Sequence, residues 1–481
     1  MSYAVENAIG RWSDGPGPLH RKLSDALRSS VRRGLLPAGS RLPSERDLAT
    51  RLAVSRSTVV AAYDALRGEG LLESRQGSGT RVCSTARRDH HVETPISPVY
   101  RSLIDDPGDV ISLACAIFPS HPLVAEAVAA VAAEDAEKLL AQNGYIPAGL
   151  PTLREALAEW LTSQGTPTGP ENVLVTTGAQ QAVTLATQLT VRPGDAVVVE
   201  SPSFSGTIDV FRARGARLVP VPVDDQGVDV RGVTEAIAAH RPAMVYLMPS
   251  FHNPTGAQLA AHRRRALAEL ATEEDVPLVE DNALEGTPLG EEHVPHIASF
   301  APAGAPILSA GSLSKRAWGG LRIGWLRGPA SAVTRLAELK AMNDLGSPML
   351  DQAIAARLVP EFGRMEADQR VLLRQNLSLV GGLLASSLPE WSWREPTGGP
   401  SLWIRLPFGS AASFAQVALR YGVEVIPGDV MSPDGSHGDH IRFPYTGEPP
   451  VLEETVRRLA QAWRAYAPAE EPRESLRPVV V

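Results

Sequence analysis

Lys315 stands in the stretch GSLSKRAWGGLRIGW, residues 311–325, in a chain of 481 residues that holds 46 lysines and arginines. Only Lys22, Lys138 and Lys340 are also lysines, so nearly every other cation is arginine. A lysine kept among small and apolar residues needs a reason, because a stable ammonium is costly to bury. Held there, it loses its proton easily and becomes an amine nucleophile, whose usual partner is an aldehyde. Pyridoxal 5′-phosphate is the common cellular aldehyde. A site for it also needs a carboxylate for the pyridinium nitrogen, an aromatic face, a donor to the phenolic oxygen and a phosphate cup. Arg322 can grip phosphate with two bonds, and Ser312 and Ser314 can add hydroxyls. In TTGAQQA, residues 176–182, a strand end opens a helix and points the amides of Ala179 and Gln180 at an anion. Singly, each signal has a bland reading: a surface lysine, a strand-end cap, a core ring, a glycine turn. Order and spacing carry the argument.

The elements that must position these residues are legible as an alternation. VLVTTG, AVVVES, AMVYLMP and VPLVED read as buried parallel strands, with AQQAVTLATQL and AHRRRALAELATEE as helices between them. That pattern predicts an α/β domain with a mainly parallel sheet. Ligands bind outside the carboxyl ends of such strands, and Gly178, Phe204, Asn253, Asp281 and Lys315 fall just after strand runs. No repeat of solenoid period is present.

Ahead of this body, residues 19–36 carry Leu23, Ala26, Leu27 and Val31 at helical spacing before PAGSRLPS breaks the pattern. Ser44 with Asp47 reads as a capping box opening the helix ERDLATRLA. Ser55 then caps a third helix with Val59, Tyr63 and Leu66 on one face, ended by Gly70. LLESRQGSGTRV reads as a hairpin wing. Three short helices and a wing, with Arg46, Arg56, Ser57 and Thr58 at or near helix starts, suit insertion into a DNA major groove. Residues 1–90 hold 15 Lys and Arg against 9 Asp and Glu, a net of +6 that leaves −14 for the rest of a chain at −8. A basic head on an acidic body suits a polyanion, although a solvated basic face on a small dimerisation domain has the same charge. STARRDHHVETPISPVYRSLIDDPGD reads as a polar tether and APAEEPRESLRPVVV as a disordered tail. Two cysteines, Cys83 and Cys115, form no disulfide framework. With no apolar run of membrane length and no signal-peptide pattern, a cytoplasmic protein is expected.

The string LPAGSRLPSERDLATRLAVSRSTVVAAYDALRGEGLLESRQGSGTRV, within residues 18–82, resembles the GntR family of bacterial winged-helix regulators. The resemblance implies that Arg46, Arg56, Ser57 and Thr58 touch DNA from the helices, with Gln76 and Gly77 at the wing tip in the minor groove. Residues 111–465 resemble fold-type I pyridoxal phosphate enzymes of the aspartate aminotransferase superfamily. YIPAGLPTLREAL, TTGAQQA, ESPSFSG, HNPTG, VEDNALEG, GSLSKRAWGGLRIGW and IRFPY carry the match. By it, Lys315 forms the Schiff base, Asp281 pairs with the pyridine nitrogen, Asn253 bonds the phenolic oxygen and Phe204 stacks on the ring. Gly178, Ala179, Gln180, Ser312, Ser314 and Arg322 hold the phosphate, Tyr145 reaches in from the other subunit of a homodimer, and Arg442 binds a substrate α-carboxylate. No metal is implied.

One departure stands out. The superfamily places a tyrosine shortly after the aspartate, where this chain has Ala283 and Leu284; neither can donate to the phenolic oxygen, which puts efficient transamination in doubt. The two halves together resemble the MocR subfamily of GntR regulators. That resemblance implies a winged head at 1–82, a linker at 83–110, an aminotransferase-like body at 111–465 with a large domain and a smaller C-terminal α+β domain, and a tail at 466–481. It further implies that an amino acid or amine effector is sensed by aldimine chemistry at Lys315 and answered at promoter DNA. An aminotransferase with a regulatory or vestigial head is the alternative.

Overall fold

The computed structural model describes residues 5–13, 17–75, 79–83, 98–104 and 108–466. The head opens with a helix that the sequence pattern did not announce, α1 (Val5–Ile9), followed by α2 (Leu19–Arg32), α3 (Glu45–Arg51) and α4 (Arg56–Gly68). Leu23, Leu27 and Val31 of α2 are buried, as their spacing demands. Ser44 Oγ accepts from the Asp47 amide at 3.1 Å and Ser55 Oγ from the Thr58 amide at 3.2 Å, so both expected N-caps form. The wing is an antiparallel pair, β1 (Leu72–Arg75) and β2 (Gly79–Val82), in register from Leu72↔Val82 to Arg75↔Gly79. Gln76 and Gly77, expected at its tip, lie outside the described residues, as does the tail from residue 467. The head has a core of its own, in which Tyr63, Leu66 and Trp12 are buried together. Part of the expected tether is helical: α5 (Pro98–Ile104) is pinned by Val99 in a small cluster with Ala114, Ile426 and Met431.

In the body, a two-residue strand, β3 (Ile111–Ser112), precedes the large sheet. That sheet is built from β4 (Val173–Thr176), β5 (Ala196–Ser201), β6 (Arg217–Asp224), β7 (Gly227–Val228), β8 (Met244–Leu247), β9 (Leu278–Asp281), β10 (Ile307–Ser312) and β11 (Gly324–Arg327), in the order β4-β11-β10-β9-β8-β5-β6-β7. The run β6-β5-β8-β9-β10 is parallel, while β11 lies antiparallel to both its neighbours. Every residue of β4, β5, β8, β9 and β10 is buried, which is why their sequences read as unbroken apolar runs. The smaller C-terminal domain holds β12 (Ser392–Trp393), β13 (Ser401–Arg405), β15 (Ile426–Pro427) and β16 (His440–Pro444) in one antiparallel sheet, and β14 (Val423–Glu424) pairs in parallel with β3. This is an α/β architecture with a winged helix-turn-helix at its amino end. No helix among the described residues is long and apolar enough to cross a membrane.

One buried cation organises the loops above the sheet. Arg264 is fully buried and donates to the carbonyls of Leu259, Pro249, Val294 and Pro295 and to Ser250 Oγ, at 2.7–3.3 Å. Burial lowers its pKa to about 10, with Glu280 and Glu285 opposing. The bonds tie both ends of the loop that carries Asn253 to the start of its helix. Arg264→Met should therefore lower stability by on the order of 3 kcal/mol, measured by urea unfolding, because several buried carbonyls lose a donor at once.

Candidate functional site

The carboxyl ends of β4, β5, β8, β9 and β10 face one side of the sheet, and the chain leaving them carries Gly178, Phe204, Asn253, Asp281 and Lys315 in turn. Because β9 and β10 are adjacent, with Ala310 opposite Asp281, the aspartate and the lysine approach the same crevice. Lys315 Nζ donates to the carbonyl of Ala116 at 2.5 Å. Burial pushes its pKa down to about 8; Cys115 opposes this, and Arg442 and Arg322 add to it. The downward shift has desolvation as its largest cause, the cost of burial from which the sequence reading began.

Asp281 is held from two sides. Its Oδ1 accepts from the Ala283 amide at 3.0 Å and its Oδ2 from the Tyr246 hydroxyl at 2.8 Å. Thr207 Oγ1 donates in turn to Tyr246 at 3.1 Å. Burial raises the carboxyl pKa, and the two bonds lower it again. A cationic ring nitrogen brought against Oδ2 would complete the compensation. Leu284 is buried and Ala283 offers only its amide, so no hydroxyl comes from that loop.

A second group gathers at the start of the helix Ala179–Thr190. Gly178 caps it at φ +106°, and a Cβ there would stand 2.9 Å from Arg322 Nη2; the position needs glycine for both reasons. The Arg322 guanidinium donates to the Thr177 carbonyl at 2.6 Å and to Ser314 Oγ at 3.4 Å. Ser312 Oγ accepts from the Ser314 amide at 3.1 Å, and Gln180 turns its side chain to the carbonyl of Gly206 at 3.2 Å. An arginine, serine hydroxyls and the first free amides of a helix thus converge, a donor set that fits a phosphate. Phe204 caps the next helix, its ring lying against Gly206.

Arg442, on β16, is fully buried. It donates to the carbonyls of Ala114 and, at 3.4 Å, Leu113, and to Asn253 Oδ1 at 3.5 Å, while its Nε has no partner among the described residues. Burial lowers its pKa to about 10. A carboxylate is the group that would use the spare donor. Tyr145 is not drawn in with the others: it is 67% exposed, with its amide on Asn143 Oδ1. No group of three metal-ligating side chains occurs among the described residues.

Sequence reasoning missed the residues that steady this set. Tyr246 sits in a strand read only as apolar, although a tyrosine in a fully buried strand signals a hydroxyl that needs a partner. Arg316, next to Lys315, lies over the rings of Phe362 at 4.4 Å and Trp160 at 5.1 Å and pairs with Glu366. Gln369 Nε2 donates to the Lys315 carbonyl at 3.2 Å. The Lys315 backbone is therefore clasped from the helix Phe362–Ser387, a distant stretch that no local pattern connects to it.

In the head, Arg46 and Arg56 are exposed at the starts of α3 and α4. Arg56 reaches Glu45 only loosely, at 3.6 Å with its side chain 71% exposed. Ser57 and Thr58 share hydrogen bonds of 2.8 Å with Ser55, so part of their hydroxyl capacity goes to the helix cap.

Comparison with known proteins agrees with this division of labour. Residues 114–459 match the class I and II aminotransferases, and residues 19–82 match the gntR family of bacterial regulatory proteins. The uncharacterized HTH-type transcriptional regulator YisV of Bacillus subtilis is 31% identical over 450 residues, covering 89% of this chain and 92% of that one. The probable rhizopine catabolism regulatory protein MocR of Rhizobium meliloti is 29% identical, covering 79% of each chain. Among solved structures, the α-aminoadipate aminotransferase LysN of Thermus thermophilus superposes with a TM-score of 0.69 at 29% identity, over 76% of this chain and 94% of its own.

The lysine leaves a signature in stability. Its folded pKa, about 8, is below the ordinary 10.5, so over that window the folded chain binds fewer protons than the unfolded one and stability rises with pH. Below about pH 8 the buried cation is a standing cost. The cofactor-free Lys315→Met chain should unfold at higher urea than the wild type at neutral pH, and the difference should shrink as pH rises through the window.

Proposed function

The chain belongs to the MocR subfamily of GntR-family regulators, a DNA-binding head on an aminotransferase body, and from that premise we propose that it senses an amino acid or amine with pyridoxal 5′-phosphate. The observation that carries the reading is Lys315: a buried amine with a lowered pKa, one strand from Asp281 and in the field of Arg442 and Arg322. When bound, the cofactor supplies an electrophilic aldehyde on an electron-withdrawing ring.

This chain's residues divide the remaining work. Lys315 would hold the aldehyde carbon, and Asp281, kept in place by Tyr246, would hold a proton on the ring nitrogen. Asn253 turns its amide oxygen toward Arg442, which leaves its NH2 for the phenolic oxygen. Phe204 would cover one face of the ring. Gly178, Ala179, Gln180, Ser312, Ser314 and Arg322 would hold the phosphate. Arg442 would take the effector's carboxylate. The exposure of Tyr145 supports a role across a homodimer interface, and a two-fold dimer also suits paired half-sites on promoter DNA. Arg46, Arg56, Ser57 and Thr58 would meet that DNA, with Gln76 and Gly77 from the wing. The reading divides the chain into head 1–82, tether 83–110, body 111–465 and tail 466–481, and places it in the cytoplasm.

With Leu284 buried where a tyrosine hydroxyl is usual, proton movement at the cofactor has one donor fewer, which favours a bound and slowly turned-over effector over rapid transamination. A persistent ligand suits a sensor, provided it binds one arrangement of the protein better than another.

Purified protein loaded with pyridoxal 5′-phosphate should show a visible absorbance band that borohydride removes. Lys315→Ala should lose both, and a variant that keeps them refutes the lysine's role. Addition of each proteinogenic amino acid should shift the band for some, and the keto acid should then form far below ordinary enzyme rates of about 1–10³ per second. Turnover at such rates would make the protein an aminotransferase.

Arg56→Ala should weaken binding to the upstream intergenic DNA by about 1–3 kcal/mol in a gel-shift titration, with a stability change within about 0.5 kcal/mol.

A further inference from the structure

Residues 5–13 precede the part of the chain that matches the gntR family, and the sequence pattern assigned them nothing. In the structure they bridge head and body. Val5, Ala8, Ile9 and Trp12 are buried in the head's core. From the same segment, Arg11 grips Glu424 of β14 with Nε at 3.2 Å and Nη2 at 2.6 Å, and Trp12 Nε1 donates to Gln416 at 2.8 Å. The body reaches back from its helix Ala411–Arg420. There Arg420 donates to the carbonyls of Leu52 and Ala53, at 3.1 and 3.0 Å, just past the end of α3, where a cation is favoured.

Glu424 serves a second partner. Ser112 Oγ donates to its Oε2 at 2.5 Å, and β3 is zipped to β14 by bonds from Ile111 N to the Gly422 carbonyl and from Leu113 N to the Glu424 carbonyl. The carbonyls that follow are those already met in the crevice. Leu113 and Ala114 accept from Arg442, and Ala116 accepts from Lys315. One carboxylate therefore closes the head's clasp and anchors a five-residue strap that ends on both cations of the effector site.

We propose that residues 112–116 are a strap that ties the occupancy of Arg442 to the docking of the head. It rests on the reading of Arg442 as the effector's carboxylate site. The partners of Arg442 are neutral carbonyl oxygens, and its Nε has none among the described residues. A carboxylate forms shorter, stronger, two-pronged bonds with a guanidinium than carbonyls do. It displaces Leu113 and Ala114, and the strand carrying Ser112 shifts against Glu424. The Arg11 clasp is partly buried, with side-chain exposures of 11% and 14%, so solvent screens a change in its surroundings less than it would at the open surface. Loosening it frees the head to reorient α3 and α4. The two arrangements thus differ in a contact that the effector itself makes, as coupling requires.

The strap contains its own reporter, because Cys115 and Cys83 are the chain's only cysteines. In the full-length Cys83→Ser protein, iodoacetamide modifies Cys115 alone. Arg11→Ala, a change in the head, should speed that reaction roughly fivefold or more by letting the strap open locally. Glu424→Gln, which keeps the side chain's shape and so guards against misfolding, should do the same. In the reverse direction, Arg442→Ala should quicken hydrogen exchange in residues 5–13 and 48–54 of the head. Cys115 rates within twofold of the parent in both clasp variants, or head exchange unchanged by Arg442→Ala, would overturn the proposal. No amino acid is added in either arm, so the outcome is independent of whether the body senses one.

Discussion

Keeping the Lys315 amine out of water at the carboxyl edge of the sheet is the constraint on which the rest of the body depends. Among the described residues its hydrogen-bond partner is a carbonyl, that of Ala116, and beside Cys115 the groups that act on its charge are Arg442 and Arg322, both cations. Burial disfavours the charged form of the lysine, and the two guanidiniums disfavour it further. Such an arrangement depends on a surrounding chain that is held firmly.

The holding is done by buried polar groups that each find an answer. Arg264 gathers loop carbonyls, Glu280 accepts from the amides of Ile297 and Ala298 and from Ser309, and Tyr246 fixes Asp281. Burial pushes the Glu200 carboxyl up to about 8 and the His252 imidazole down to about 3, so their 3.6 Å approach joins two neutral groups rather than an ion pair. Such networks add little net stability when complete and cost much when broken. They therefore specify loop positions more than they strengthen the fold.

Head and body meet on different terms. Each has its own apolar core, and among the described residues the contacts between them include guanidinium-to-carbonyl bonds, a hydroxyl-to-carbonyl bond, an indole bond and an ion pair, with Ala53 of the head packed on the body's core. Contacts of that kind are directional and individually modest, which suits two bodies that must hold a defined relation and yet change it.

By itself, the sequence determined whatever depends on local order. Apolar runs bounded by turns gave the buried strands, Ser44 and Ser55 gave the caps, and TTGAQQA gave the strand end and helix start at residues 176–179, because these are properties of neighbours along the chain. The matching motifs placed Lys315, Asp281, Asn253 and Arg442 in one family order. What only the tertiary structure decided is who stands beside them. Tyr246 looked like one more apolar strand residue until its neighbour strand brought Asp281 to its hydroxyl. Arg316 and Gln369 lie on either side of a long excursion that ends against Lys315, and Arg11 meets Glu424 across 413 positions. Such pairings are set by how sheet, helices and domains pack, and packing joins residues whose separation along the chain carries no periodic signal.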